Sequence, residues 1–165
     1  MRAPVEVRLE RLQKLIQRVS YESERGKIIV VEGQKDRDSL RKMGIKGTIL
    51  CLQSSRKNTL GFAEELDNDK GIIVLTDFDR EGVSLAKRLG RALNSQKIHA
   101  NLVLWRELRG LTRSDVRSIE ELPKFYYRLQ TELFFGAPSL ERGYDAPFLT
   151  KRRKGRSRFH GKTWH

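Results

Sequence analysis

Apolar residues at Val5, Leu9, Leu12, Ile16 and Val19 recur at helical spacing. They predict an amphipathic helix over 5–19 whose other face is rich in arginine. Residues 20–26 are polar and predict a connector. Beyond them, short apolar runs alternate with helical stretches. Lys27–Val31, Gly47–Leu52, Gly71–Thr76 and Ala100–Trp105 predict four strands, the last suited to an edge. Asp36–Met43, Thr59–Leu66 and Arg80–Leu93 predict the intervening helices. Gly44 suits the stop of the first of these, and residues 53–58 are polar. Strands and helices alternating at these lengths imply βαβ crossovers, hence an α/β fold with a parallel four-stranded sheet flanked by helices.

After Trp105 the pattern changes. Thr112 with Asp115, and Ser118 with Glu121, fit capping boxes. Phe125, Leu129, Leu133 and Phe134 form a last apolar helical face, expected to pack on the sheet or on the N-terminal helix. Gly136–Leu149 holds two Pro and two Gly and predicts an irregular arm. The expected organisation is an N-terminal helix and connector (1–26), an α/β domain (27–105), a helical extension (106–135), and an arm with a basic tail (136–165).

Charge sharpens this picture. The chain has 34 Lys and Arg against 21 Asp and Glu, a net charge of +13. Such a balance favours a polyanionic partner, because each neutralised phosphate releases a condensed counterion. Residues 151–165 hold seven cations and no acid; the first 150 residues carry only +6. Cys51, the single cysteine, sits in an apolar run and reads as a small core residue. His99 reads as a surface residue and Trp105 as core. No apolar run approaches the ~18 residues of a membrane helix, and the N-terminus lacks a signal peptide's apolar region. An intracellular, cytoplasmic protein with no membrane partner is expected.

The chemistry gathers where strands end in acid. Ile28–Val31 runs into Glu32-Gly33, and Ile72–Thr76 into Asp77-Phe78-Asp79. In a parallel sheet the C-terminal strand ends share one edge, and ligands bind in the crevice there. Asp77 and Asp79, two apart, point the same way in extended backbone. Three crowded carboxylates repel unless a cation neutralises them. Hard oxygen ligands in small number suit Mg²⁺ or Mn²⁺, which stabilises attacking and leaving oxygens in phosphodiester chemistry. Gly33 and Gly82 are expected to leave room for a phosphate backbone. The competing reading is helix capping, with Asp36 and Asp79 as N-cap or first-turn anions.

VEGQKD (Val31–Asp36) and TDFDREG (Thr76–Gly82) resemble the two signature motifs of the Toprim domain, found in topoisomerases, primases, recombination-repair proteins and the bacterial maturase of 5S ribosomal RNA. The resemblance covers about residues 27–105 and implies the Rossmann-like Toprim fold. It implies that Glu32 acts as acid or base and shares a metal with Asp77 and Asp79. Asp36 matches an acid of the maturase-like branch, and Lys35 and Arg80 are candidate accessory residues. Phe78 stands where many bacterial members have Pro, which should leave the metal pair intact. The chain is most similar to short, stand-alone archaeal Toprim proteins, and the other domains of a primase or topoisomerase are not expected.

The tail mixes Lys151, Arg152, Arg153, Lys154, Arg156, Arg158 and Lys162 with Phe159 and Trp164. Cations meet phosphates while rings stack on unpaired bases, so the segment suits RNA and resembles ribosomal-protein extensions. A solvated tail or a localisation signal is the alternative. The expected function is RNA binding on the ribosome or ribosomal RNA, beside ribosomal proteins, with a Mg²⁺ carboxylate site. A Mg²⁺-dependent endoribonuclease of ribosomal RNA processing is the alternative, and DNA repair or recombination a third.

Overall fold

In the computed structural model, residues 2–67 and 69–136 are described. The predicted arm from 137 onward, and the whole basic tail with its nine candidate RNA-binding residues, lie outside them.

Four parallel strands form one sheet in the order β2-β1-β3-β4: β1 Ile28–Val31, β2 Ile49–Cys51, β3 Ile72–Val74 and β4 Ala100–Asn101. Ile29 and Ile73 are register partners, as are Val30 and Val74. Both strands are fully buried in their centres, as expected of a sheet covered on both faces. The helices are α1 Val5–Glu24, α2 Gln34–Lys42, α3 Leu52–Ser55, α4 Thr59–Glu64, α5 Arg80–Ser95, α6 Val103–Thr112 and α7 Leu122–Phe135, with a 3-10 turn at Ile119–Glu121 before α7. Gly44 ends α2 in a left-handed conformation at φ +88°, a conformation glycine adopts at least cost. Among the described residues, no helix is long and apolar enough to cross a membrane.

Five expectations change. The connector at 20–26 is instead the last turn of α1, which runs to Glu24; Ser23 is buried there, and a Cβ on Gly47 would overlap its side chain. The polar stretch 53–58 includes most of α3. The fourth strand is only two residues long, because the Asn101 side chain accepts the Val103 N–H at 2.9 Å and opens α6. Neither capping box forms. The Thr112 hydroxyl donates back to the Leu108 carbonyl inside α6, and Glu121 accepts the Arg117 N–H while Ser118 makes no side-chain cap. Phe125 and Leu129 enter the core, whereas Phe134 is 73% exposed. Cys51 and Trp105 are buried and His99 is exposed, as expected.

α7 packs on α1 and α2, and α6 packs on α1 and β3. Asp115 joins them. Its buried carboxylate accepts from Arg8 of α1 and Arg128 of α7, both at 2.6 Å. Arg8 and Arg128 each lie 5.2 Å from the Phe125 ring centre.

Candidate metal site at the strand ends

The strand order reverses at β1, with β2 on one side and β3 on the other. Such a switch point opens a crevice at the carboxyl ends of the strands. Glu32 leaves β1 on one side of it, and Asp77 follows β3 on the other. The two strands touch through their acids: Glu32 Oε1 accepts the Asp77 N–H at 3.0 Å. Asp79 caps α5, accepting the Gly82 N–H at 2.7 Å. Asp36 sits in the first turn of α2 and accepts the Gly33 N–H at 2.9 Å. The capping roles of Asp36 and Asp79 are therefore both present, and Glu32 meets the Asp77 backbone across the two strands.

The segment from Thr76 to Asp79 is held largely from beyond the sheet. Ile119 N–H donates to Asp77 Oδ1 at 2.8 Å, and Phe78 N–H donates to the Arg117 carbonyl at 2.8 Å. The Trp105 indole N–H donates to the Thr76 carbonyl at 2.9 Å, and Arg109 Nε to the Phe78 carbonyl at 3.3 Å. Phe78 itself is buried, with its ring centre 6.5 Å from that of Trp105. Residues 106–121 thus form part of the site's framework, which sequence spacing did not reveal.

Gly82 differs from expectation. A Cβ there would lie 2.1 Å from the Asp77 carbonyl oxygen. The missing side chain makes room for the acid loop, not for a phosphate. A Cβ on Gly33 would lie 2.7 Å from Gln53 Oε1, the end of a movable side chain. Gly33 lines a cleft of about 520 Å³ with Glu32, Asp36, Asp77, Gln53 and Ser54. Lys35, Ser118 and Glu120 also border it. Asp79 and Arg80 are exposed at the start of α5. Sequence reasoning missed Gln53, Ser118 and Glu120.

Burial, reinforced by neighbouring charge, shifts the acids' ionisation. Burial pushes the Asp77 carboxyl up to about 7, with the charges of Asp36, Glu32 and Asp79 adding to it against the Ile119 hydrogen bond. Burial raises Glu32 as well, opposed by the Asp77 N–H and reinforced by Asp36, Asp79 and Glu81. Asp36 is raised by burial and by Glu120. Among the described residues, no three His, Cys, Asp or Glu side chains stand ready-made as a metal cage. The donor set nevertheless fits a hard divalent cation. It is all oxygen, mutually repulsive and on one edge, and Mg²⁺ completes few protein ligands with water.

A carboxyl whose folded pKa exceeds its unfolded value makes folding take up protons, so stability falls as pH rises through that interval. For Asp77 the interval runs from 3.8 to about 7. The metal-free chain should therefore melt at higher temperature at pH 5.5 than at pH 7.5. If ~1 kcal/mol survives solvent screening, the difference is roughly 4 °C. Asp77→Asn should reduce it; an undiminished difference in that variant would place the titration elsewhere.

Comparison with known proteins agrees with the geometry. The Toprim domain profile matches residues 27–105. A UPF0292 protein of Thermococcus sibiricus is 34% identical over 125 residues, covering 76% of this chain and 95% of the relative. The chain belongs to the UPF0292 family and carries a Toprim domain. A UPF0292 protein of Pyrococcus furiosus is 36% identical over 129 residues, covering 78% of this chain and 92% of the relative. A solved structure of a protein from Aquifex aeolicus superposes with a TM-score of 0.53 at 25% identity, over 66% of this chain and 94% of that one. Divalent-metal binding is a general property of Toprim domains, and the acid edge lies inside the Toprim match. α1, α7 and most of α6 lie outside it.

Proposed function

We propose that this chain is an RNA-binding Toprim protein of the ribosome or ribosomal RNA, with a Mg²⁺ or Mn²⁺ ion held by Asp77 and Asp79 beside Glu32. The observation that carries the proposal is the meeting of Glu32 and Asp77 across the β1/β3 switch point, in a chain of net charge +13. An acid edge repels phosphate; a basic chain attracts it. A divalent ion on the acids reconciles the two, because it turns the edge into a phosphate-binding surface. Ile119 N–H orients Asp77, and the Gly82 N–H orients Asp79. Lys35, at the rim of the cleft, adds a cation for the RNA backbone.

Mg²⁺ should raise the melting temperature of the wild type in proportion to the logarithm of its concentration, since it binds the folded state. The response should strengthen with pH as the acids lose their protons, and Asp77→Asn should lose most of it. Binding to ribosomal RNA should weaken in EDTA for the wild type and change little for Asp77→Asn. Equal melting responses of both proteins, or RNA affinity indifferent to Mg²⁺, would remove the metal from the proposal.

A second reading, a Toprim endoribonuclease, is favoured by Glu32. Its raised pKa suits a group that moves a proton at the cleft. When bound, the metal would supply charge stabilisation for the phosphodiester, while Glu32 would hold or release the proton. Glu32→Gln should then abolish metal-dependent cleavage of precursor ribosomal RNA at nearly unchanged affinity. Absence of any metal-dependent product with the wild type would retire the enzyme reading.

A further inference from the structure

A second feature lies away from the acid edge. α1 and α6 flank an open groove of about 660 Å³. Arg11, Lys14 and Arg18 line it from α1, with Arg2 just before that helix. Glu107 is the one acid among the lining residues, and Leu15 and Leu111 contribute apolar surface. Gly110 leaves the α6 wall open: a Cβ there would meet nothing within 4 Å.

The cations are available. Positions 11, 14 and 18 follow helical spacing and share one face. No carboxylate stands within ion-pair distance of Arg11 among the described residues. Lys14 pairs with Glu10 at 2.7 Å and Arg18 with Glu107 at 2.9 Å, in both cases with side chains 43–67% exposed. Ion pairs that exposed contribute ~0–1 kcal/mol and yield readily to a stronger anion. A row of cations fixed on a rigid helix invites a row of anions. Arg11 to Arg18 spans about 10 Å of helix, and their long side chains can reach successive phosphates of one backbone. No aromatic ring lines the groove, so it favours phosphate contact over base stacking.

We infer that the α1/α6 groove is a second RNA-backbone site, in which Arg11, Lys14 and Arg18 hold consecutive phosphates without reading sequence. The inference rests on the RNA-binding reading above and adds to it a surface that the Toprim match does not contain. Arg2 and Ser114 also line the groove, and five residues beyond Ser114 along the chain Ile119 donates to Asp77.

The test compares the full chain with Arg11→Ala/Lys14→Ala/Arg18→Ala. Ribosomal RNA affinity is measured at several salt concentrations in Mg²⁺. The control is Lys87→Ala/Arg88→Ala/Arg91→Ala, which removes the same charge from exposed positions of α5. Three lost phosphate contacts at ~0.7 each should flatten the salt slope by roughly 2 units and weaken binding about 100-fold at 0.1 M salt; the control should lose much less. Arg11→Ala alone, which breaks no ion pair, should lose about a third of the slope change and guards against a folding defect in the triple variant. Unchanged affinity of the groove variants, or an equal loss in the control, would overturn the groove while leaving RNA binding in place. A wild-type chain that binds no ribosomal RNA, or binds only an acidic polypeptide such as polyglutamate, would overturn both.

Discussion

Asp115→Asn should destabilise the protein by about 3–5 kcal/mol, the usual consequence of leaving a buried charge without its partner. Arg8 is 7% exposed and ends against Asp115 at 2.6 Å. Asn keeps the shape but removes the charge, so the Arg8 guanidinium remains in the interior uncompensated. Arg128 and Arg2 also converge on this carboxylate, and the Ser114 hydroxyl donates to it. Burial alone would raise the Asp115 pKa; the Ser114 and Arg128 hydrogen bonds and the charges of Arg8 and Arg2 more than offset it and hold the group below its ordinary value. Its stabilising contribution is thus present above the ordinary aspartate range and is lost as pH falls through the depressed folded value. Urea denaturation at pH 7 measures the loss. A change under ~1 kcal/mol would mean that water reaches Arg8. Arg8→Met with Asp115→Leu should recover much of the stability, because an apolar pair carries no desolvation cost. The variant should also blunt the response to Mg²⁺, since Asp115 anchors the segment that presents the Ile119 N–H to Asp77.

That coupling marks the boundary of what sequence spacing reveals. β1 and β3 were legible because their β-branched runs end in acid, and parallel pairing then brings Glu32 beside Asp77. The reach of Ile119 to Asp77 across 42 residues leaves no local trace. Nor does the contact of Gly82 with the Asp77 backbone, which makes a glycine read as phosphate room into a packing requirement. Ala100–Trp105 misled because Leu102–Trp105 is apolar whether extended or helical. Leu104, Trp105 and Leu108 face the core at helical spacing, and the Asn101 side chain decides the start. Ser20–Glu24 reads as polar, yet its helix is secured by Ser23 packing on Gly47 and by Glu22 pairing with Lys27 at 2.6 Å. In these cases specific side-chain contacts and core packing overrode the pattern of apolar and polar positions.

Removing residues 147–165 should cause the largest loss of RNA affinity. The last fifteen residues supply seven cations, whereas the first 150 carry a net charge of only +6 and include the acids at the β1/β3 strand ends. If these residues make ~5 phosphate contacts, truncation after Ala146 flattens the salt slope by roughly 3–4 units and weakens binding about 10³-fold or more at 0.1 M salt. Arg152, Arg153, Arg156 and Arg158 should dominate, because a planar guanidinium grips phosphate bidentately and stacks on bases; Phe159 and Trp164 add stacking where bases are unpaired. The remaining body should bind weakly, through the α1/α6 groove and a metal-loaded edge. EDTA should weaken it further by returning the edge to a cluster of bare carboxylates. Salt titrations of the full and truncated chains on ribosomal RNA, each with Mg²⁺ and with EDTA, separate these contributions. The truncated chain's residual slope should be near 2, and Arg11→Ala/Lys14→Ala/Arg18→Ala should remove most of it. An unchanged affinity and slope after truncation would make the tail a passive appendage and leave the groove and the acid edge as the whole RNA-binding surface.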